Sequence, residues 1–186
     1  MAFLTTWNMT DLPSEMIDIL EKDIKKFDNC QDKSKVMGND EIAPKIRNSK
    51  NAWIPTEHWI GGWIWYYIQK ANRENFLYDL YDIDGGNIQY THYYPGDYYT
   101  WHIDGDISTT FKPEIKPGTG ENLRDDQTFH KGECVRKLSF SLQLSDAKDY
   151  RGGEVEFINS AGERYFAPKQ KGTLIVFDSR TKHRVR

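Results

Sequence analysis

The stretch Tyr93-Tyr94-Pro95-Gly96-Asp97-Tyr98-Tyr99-Thr100-Trp101-His102-Ile103-Asp104 decides how the chain is read. Pro95-Gly96-Asp97 is a turn signal, and the aromatic and β-branched residues around it favour extended backbone. The pattern predicts one strand ending at Tyr94 and another over Tyr98–Asp104. In extended chain, residues two apart share a face, so His102 and Asp104 point the same way. Outward from this segment the period of two continues. Strands are predicted at Asn87–Tyr94, Tyr98–Asp104, Arg136–Ser145, Gly153–Ile158, Glu163–Phe166, Thr173–Phe177 and Lys182–Arg186. Asp84-Gly85-Gly86, Arg151-Gly152-Gly153, Ala161-Gly162 and Lys171-Gly172 punctuate them. In Arg136–Ser145, alternation puts Leu138, Phe140, Leu142 and Leu144 on one face and Ser139, Ser141 and Gln143 on the other. That division suits a barrel with a polar lumen.

The N-terminal part reads differently. Leu12-Pro13-Ser14-Glu15 supplies helix start signals, and Ile17, Leu20, Ile24 and Phe27 form one apolar stripe. Asp28 to Asn51 is polar and reads as loop or extended chain. A second helix is expected after Ile54-Pro55-Thr56-Glu57, with Thr56 as its cap. Its residues Trp59, Ile60, Trp63, Ile64, Tyr67 and Ile68 make it apolar nearly all round, hence buried. Helices followed by a run of short strands indicate a helix-buttressed β-sandwich or barrel. Between the second and third of these strands, Gly105 to Val135 is a long polar excursion.

Composition bounds the partners. With 186 residues, 38% of them hydrophobic and 14% aromatic, the chain makes one domain, 1–186, with helical support to about residue 80. A net charge of −3 with mixed signs offers no footprint for nucleic acid or an anionic membrane. The longest apolar run, Trp59 to Ile68, is interrupted by Gly61 and Gly62 and is far below the ~20 residues of a membrane helix. Met1–Thr6 has neither the basic region nor the apolar core of a secretory leader. Cys30 and Cys134 therefore read as a reduced pair, and the expected location is cytoplasmic. The sequence does not fix an oligomeric state.

His183, on the last predicted strand, supplies a third ligand beside His102 and Asp104. Two imidazoles and one carboxylate on one side of a metal form the facial triad of non-haem Fe(II) oxygenases, and zinc accepts the same donors. His-x-Asp alone is a weak signal. His102 can equally serve a backbone carbonyl, and His183 can be a surface residue between Lys182 and Arg184. His58, His92 and His130 read as ordinary helix, strand and loop residues.

The surroundings sharpen the reading. Tyr93, Gly96 and Tyr99 precede His102 by nine, six and three residues. Arg136–Ser145 is followed by Tyr150-Arg151-Gly152-Gly153-Glu154-Val155-Glu156-Phe157, and Lys171–Phe177 by His183-Arg184-Val185. Together these segments, over about residues 87–186, resemble the prolyl 4-hydroxylase-like branch of the 2-oxoglutarate oxygenases. The resemblance implies an α+β, mainly β fold, a double-stranded β-helix (jelly-roll) with N-terminal buttressing helices. It implies His102, Asp104 and His183 as ligands of Fe(II), with 2-oxoglutarate as co-substrate, O₂ as oxidant and ascorbate as a further small molecule. Tyr93 would bond 2-oxoglutarate, Tyr99 would line the co-substrate or substrate side, and Ser141 and Gln143 are assigned to co-substrate binding with them. The implied substrate is a prolyl or other side chain of a peptide or protein, held by Tyr99, Trp101 and Gly105–Val135 as a lid. A nucleic-acid-base oxygenase and a non-enzymatic metal-binding jelly-roll are the alternatives. Of the other rings, Trp59 and Trp63 go to the buttressing helix, and Phe140 and Phe177 to the sandwich interior.

The family anchors the distal carboxylate of 2-oxoglutarate on a Lys or Arg nine or ten residues after the distal His, near position 193 here. The sequence stops at Arg186. Period two turns Arg184 and Arg186 to the face opposite His183. The expectation is therefore a jelly-roll one strand short, with unpaired strand edges at its core.

Overall fold

The computed structural model describes residues 6–10, 12–30, 32–33, 46–105, 110–111, 134–159 and 161–186. The N-terminal part contains β1 (Thr6–Met9), α1 (Ser14–Ile24), β2 (Asp32–Lys33), β3 (Arg47–Asn48), β4 (Lys50–Pro55) and α2 (Trp59–Ala71). Next come β5 (Asn87–His92), β6 (Tyr98–His102), β7 (Thr110–Phe111), β8 (Cys134–Val135) and β9 (Leu138–Leu142). The chain closes with β10 (Val155–Ile158), β11 (Arg164–Phe166), β12 (Leu174–Asp178) and β13 (Lys182–Val185). All seven strands expected from the sequence form, with no end shifted by more than three residues.

One sheet has the order β11-β10-β13-β6-β3, and β1-β12-β9 and β2-β4-β5 form two more, every pairing antiparallel. This is the expected double-stranded β-helix. β12 shows why the run from Leu174 to Phe177 is apolar without a break. Ile175 and Phe177 pack with Phe157 and Ala167 between the sheets. Leu174 and Val176 point the other way, into a cluster with Leu12, Ile17 and Ala71 under the helices. A strand covered on both faces has no solvent side to keep polar.

The helices buttress the opposite surface. Ile17, Leu20 and Ile24 of α1 are buried, as their spacing requires. In α2 the buried residues are Ile60, Gly61, Ile64, Ile68 and Ala71. The helix is not buried all round, because Trp59 and Tyr66 are exposed and Trp59 Nε1 donates to Asp23 at 2.7 Å. Nor does Thr56 cap it. His58 Nδ1 accepts from the Ile60 amide, while the Thr56 hydroxyl donates to the Gly86 carbonyl. A Cβ on Gly61 would lie 2.1 Å from the Thr56 carbonyl oxygen, so only glycine lets the chain fold back this tightly before the helix. Phe140, expected in the sandwich interior, packs with Leu138, Leu142 and Leu144 on the helix side. It shares a face with the leucines, and that face meets α2 rather than the other sheet.

Two edges face each other across a trough. β5 pairs only with β4 and β9 only with β12 among the described residues. Ile88 of β5 and the β9 leucines reach one apolar cluster with Ile60, Ile64 and Ile68. Of Gly105–Val135, only Gly105, β7 and β8 are described, and β7 and β8 pair with each other. The rest of the expected lid lies outside the described residues, as does His130. Cys134 is in no disulfide among the described residues, and the Cys30 side chain lies outside them.

Candidate metal centre

His102 is the last residue of β6 and lies opposite His183 on β13. Cross-strand neighbours on one face sit close together, and the two imidazole centroids are 4.1 Å apart. Asp104 is reached differently from the sequence argument. β6 ends at His102, so strand alternation does not aim the carboxylate. Instead the Asp104 amide donates to the Ser179 carbonyl at 2.9 Å, and that bond turns the chain back toward the histidines. His102 Nε2 is 3.5 Å from Asp104 Oδ1, and His183 Nε2 is 3.7 Å from Oδ2. One ligand atom from each of the three residues lies within 4.8 Å of the others.

Both imidazoles are held by their second nitrogen. His102 Nδ1 lies 2.7 Å from the Thr100 carbonyl and His183 Nδ1 2.9 Å from the Thr181 carbonyl. A carbonyl can only accept, so each Nδ1 carries a proton, and the ring is turned so that its Nε2 faces Asp104. His102 thus bonds backbone and still presents Nε2. His183, at 6% exposure, is not a surface residue. Phe157 and Phe177 pack against its ring.

The electrostatics suit a cation. Burial pushes the Asp104 carboxyl up, but His102, His183 and the Ser139 hydroxyl outweigh it and bring the pKa down to about 2. Burial holds His183 below the ordinary histidine value, and the neighbouring His102 lowers it further against the pull of Asp104. The site therefore presents an ionised carboxylate and a neutral imidazole near pH 7. That donor set, with fixed tautomers and a shared focus, fits a divalent metal of the iron or zinc type.

Around the triad, Ser139 Oγ lies 2.9 Å from Ser179 Oγ. Arg136 donates to the Asp104 carbonyl at 3.1 Å and pairs with Asp84. Tyr99 stacks on His102 with centroids 3.5 Å apart and planes at 15°. The Arg47 guanidinium lies 4.7 Å from the Tyr99 centroid and bonds the Tyr93 hydroxyl, as does Ser49. Burial raises both phenols, so each stays protonated and can donate. Tyr99 thus stands beside the triad, and Tyr93 is joined to it through Arg47.

Ser141 and Gln143 do not. Ser141 follows Ser139 along β9 and Gln143 lies one residue past its end, where Gln143 Nε2 donates to the Tyr150 hydroxyl and the Ser145 carbonyl. Trp101, expected at the mouth of the site, is on the outer face of its sheet, under the guanidinium groups of Arg184 and Arg164. Its neighbour His102 faces inward, and alternation sends Trp101 outward. Arg184 and Arg186 point outward as expected, Arg184 pairing with Glu156 and Arg186 lying 6.0 Å from the Phe166 centroid. His58 caps α2, and His92 meets Asp28 at 3.1 Å. The sequence reading missed Arg47, Ser49 and Ser179. Ser139 was placed on the right face but given no role.

The family profile described as 2OG-Fe(II) oxygenase superfamily matches residues 88–186. No curated protein matches the chain in sequence. In fold the chain is similar to a Pseudomonas putida prolyl-4-hydroxylase, with 18% identity and a TM-score of 0.68 over 98% of this chain and 85% of that one. It is also similar to a prolyl hydroxylase from Trichoplax adhaerens, solved in complex with a peptide fragment of the hypoxia inducible factor oxygen degradation domain. Here the identity is 16% and the TM-score 0.63, over 98% of this chain and 77% of that one.

Proposed function

The chain belongs to the 2OG-Fe(II) oxygenase superfamily and is a 2-oxoglutarate-dependent dioxygenase; from that premise we propose that it hydroxylates a prolyl or other side chain of a peptide or protein. His102, Asp104 and His183 would hold the iron. The observation that carries this assignment is the pair of Nδ1–carbonyl bonds, which turn both Nε2 atoms onto one ionised carboxylate. When bound, Fe(II) supplies the O₂ activation that couples decarboxylation of 2-oxoglutarate to hydroxylation of a C–H bond.

The chain's own residues bind, orient and exclude water. Asp104 contributes the one negative charge, steadied by Ser139 and by the Ser179 carbonyl on its amide. Phe157 and Phe177 pack against the ring of His183 and hold its orientation. Tyr93 and Tyr99, kept protonated, are donors for the oxygens of 2-oxoglutarate. Ser141 and Gln143 would serve the same co-substrate from farther along the chain. A peptide substrate is supported by the Trichoplax protein of the same fold, which was solved with a peptide bound.

The test is an anaerobic titration with Fe(II) and 2-oxoglutarate, followed by succinate detection in air with proline-containing peptides. Wild type should bind both and form succinate in step with peptide hydroxylation. Asp104→Ala should lose iron binding and succinate formation together, and activity surviving that substitution would overturn the ligand assignment.

A further inference from the structure

Arg47 enters the cavity from β3, whose pairing with β6 sets it opposite Tyr99. It is 7% exposed. Its Nε donates to Ser49 Oγ at 2.9 Å and its Nη2 to Asn51 Oδ1 at 3.2 Å, with Thr91 Oγ1 at 3.5 Å. With the Tyr93 hydroxyl, every one of these partners is neutral. Among the described residues no carboxylate comes within ion-pair distance of Arg47. Other arginines of the fold behave differently. Arg184 takes Glu156, Arg136 takes Asp84 and Arg180 takes Asp178.

A buried guanidinium without a counter-charge is unfavourable unless an anion arrives to meet it. The position says where that anion would be. The Tyr99 ring contacts both Arg47 and His102, so the guanidinium is one aromatic ring away from a candidate metal ligand. A planar fork of donors is matched to a carboxylate. We propose that Arg47 is a carboxylate-binding residue of this cavity, taking the acidic group of a ligand bound beside His102. The inference rests on the hydroxylase reading and deepens it. The carboxylate belongs to the dicarboxylate co-substrate or to an acidic side chain of the peptide, and the two arms of the test separate these sources.

Wild type, Arg47→Gln and Arg47→Lys are loaded with redox-inert Mn(II) and titrated by calorimetry. One arm uses 2-oxoglutarate. The other uses proline peptides with either Glu or Gln beside the proline. For Arg47→Gln, one carboxylate ligand should bind about 10- to 100-fold more weakly. Arg47→Lys, which keeps the charge without the fork, should fall between. A loss confined to 2-oxoglutarate supports the proposal with the co-substrate as source. A loss confined to the Glu peptide supports it with the substrate as source. The melting temperature of the ligand-free protein should stay level or rise in Arg47→Gln, because an uncompensated buried charge is gone. Should that variant not fold, Arg47→Lys alone gives the comparison.

The proposal is overturned if wild type binds neither carboxylate ligand. It is equally overturned if the variants keep wild-type affinities while losing ligand-free stability, since Arg47 would then be structural. Succinate formation by wild type reports separately on the hydroxylase reading. Arg47-dependent carboxylate binding without succinate would sink that reading and leave this one standing.

Discussion

Asp104 and His183 act on stability in the same direction as pH falls. The Asp104 carboxyl sits at about 2 in the folded chain against an ordinary 3.8. Its contribution is complete above 3.8 and disappears as pH falls through about 2, on the order of 2 kcal/mol in all. His183 is held below its ordinary 6.5 because burial disfavours the imidazolium. Below 6.5 the unfolded chain binds a proton that the folded chain refuses, so stability is lost there too. Metal-free protein should therefore show urea midpoints that fall in two stages, one beginning below pH 6.5 and one below 3.8. His183→Asn should flatten the first stage, and a midpoint that stays level from pH 7 to 5 in wild type would contradict the buried neutral imidazole. These ligands were legible in the sequence because imidazoles and carboxylates are distinctive side chains. The groups that aim them were not. Thr100, Thr181 and Ser179 act through backbone carbonyls, which every residue has.

Among the elements, the turn joining β12 to β13 has the widest reach. The Ser179 carbonyl receives the amides of Asp104 and Gly105, and the Thr181 carbonyl receives His183 Nδ1–H. Two of the three candidate ligands thus hang on a turn that Asp178 and Arg180 hold as an ion pair, with the Tyr78 hydroxyl donating to Asp178 and accepting from Arg180. Tyr78→Phe removes that hydroxyl and leaves a half-buried carboxylate one partner short. Denaturant unfolding should show a loss of about 1–2 kcal/mol. Metal titration should show weaker binding as well, since the turn that aims two ligands is loosened. A loss of stability with metal affinity unchanged would mean the turn does not transmit to the site.

Across the whole molecule, the C-terminal half was read nearly strand for strand, because its alternation divides cleanly between an apolar and a polar face. The N-terminal half was not. β3 and the first two residues of β4 fall within the segment read as loop or extended chain, and there Arg47, Ser49 and Asn51 are buried polar residues, Arg47 donating to the other two. A strand whose inward face is polar has no apolar period to find, so the cavity wall that holds Arg47 looked like a linker. The trough between β5 and β9 leaves a different signature, in hydrogen exchange. The Gln143 amide donates to the Thr173 carbonyl and the Ser179 amide to the Lys137 carbonyl. In an antiparallel ladder this parity points the amides of Ser139 and Ser141 at β12 and those of Leu138, Phe140 and Leu142 into the trough. Deuterium should enter β9 at every second residue, fast at the leucines and Phe140 and slowly at the serines. Uniform protection along β9 would mean that another strand pairs with that edge in solution. The most apolar residues of this strand are thus the ones whose amides water should reach first.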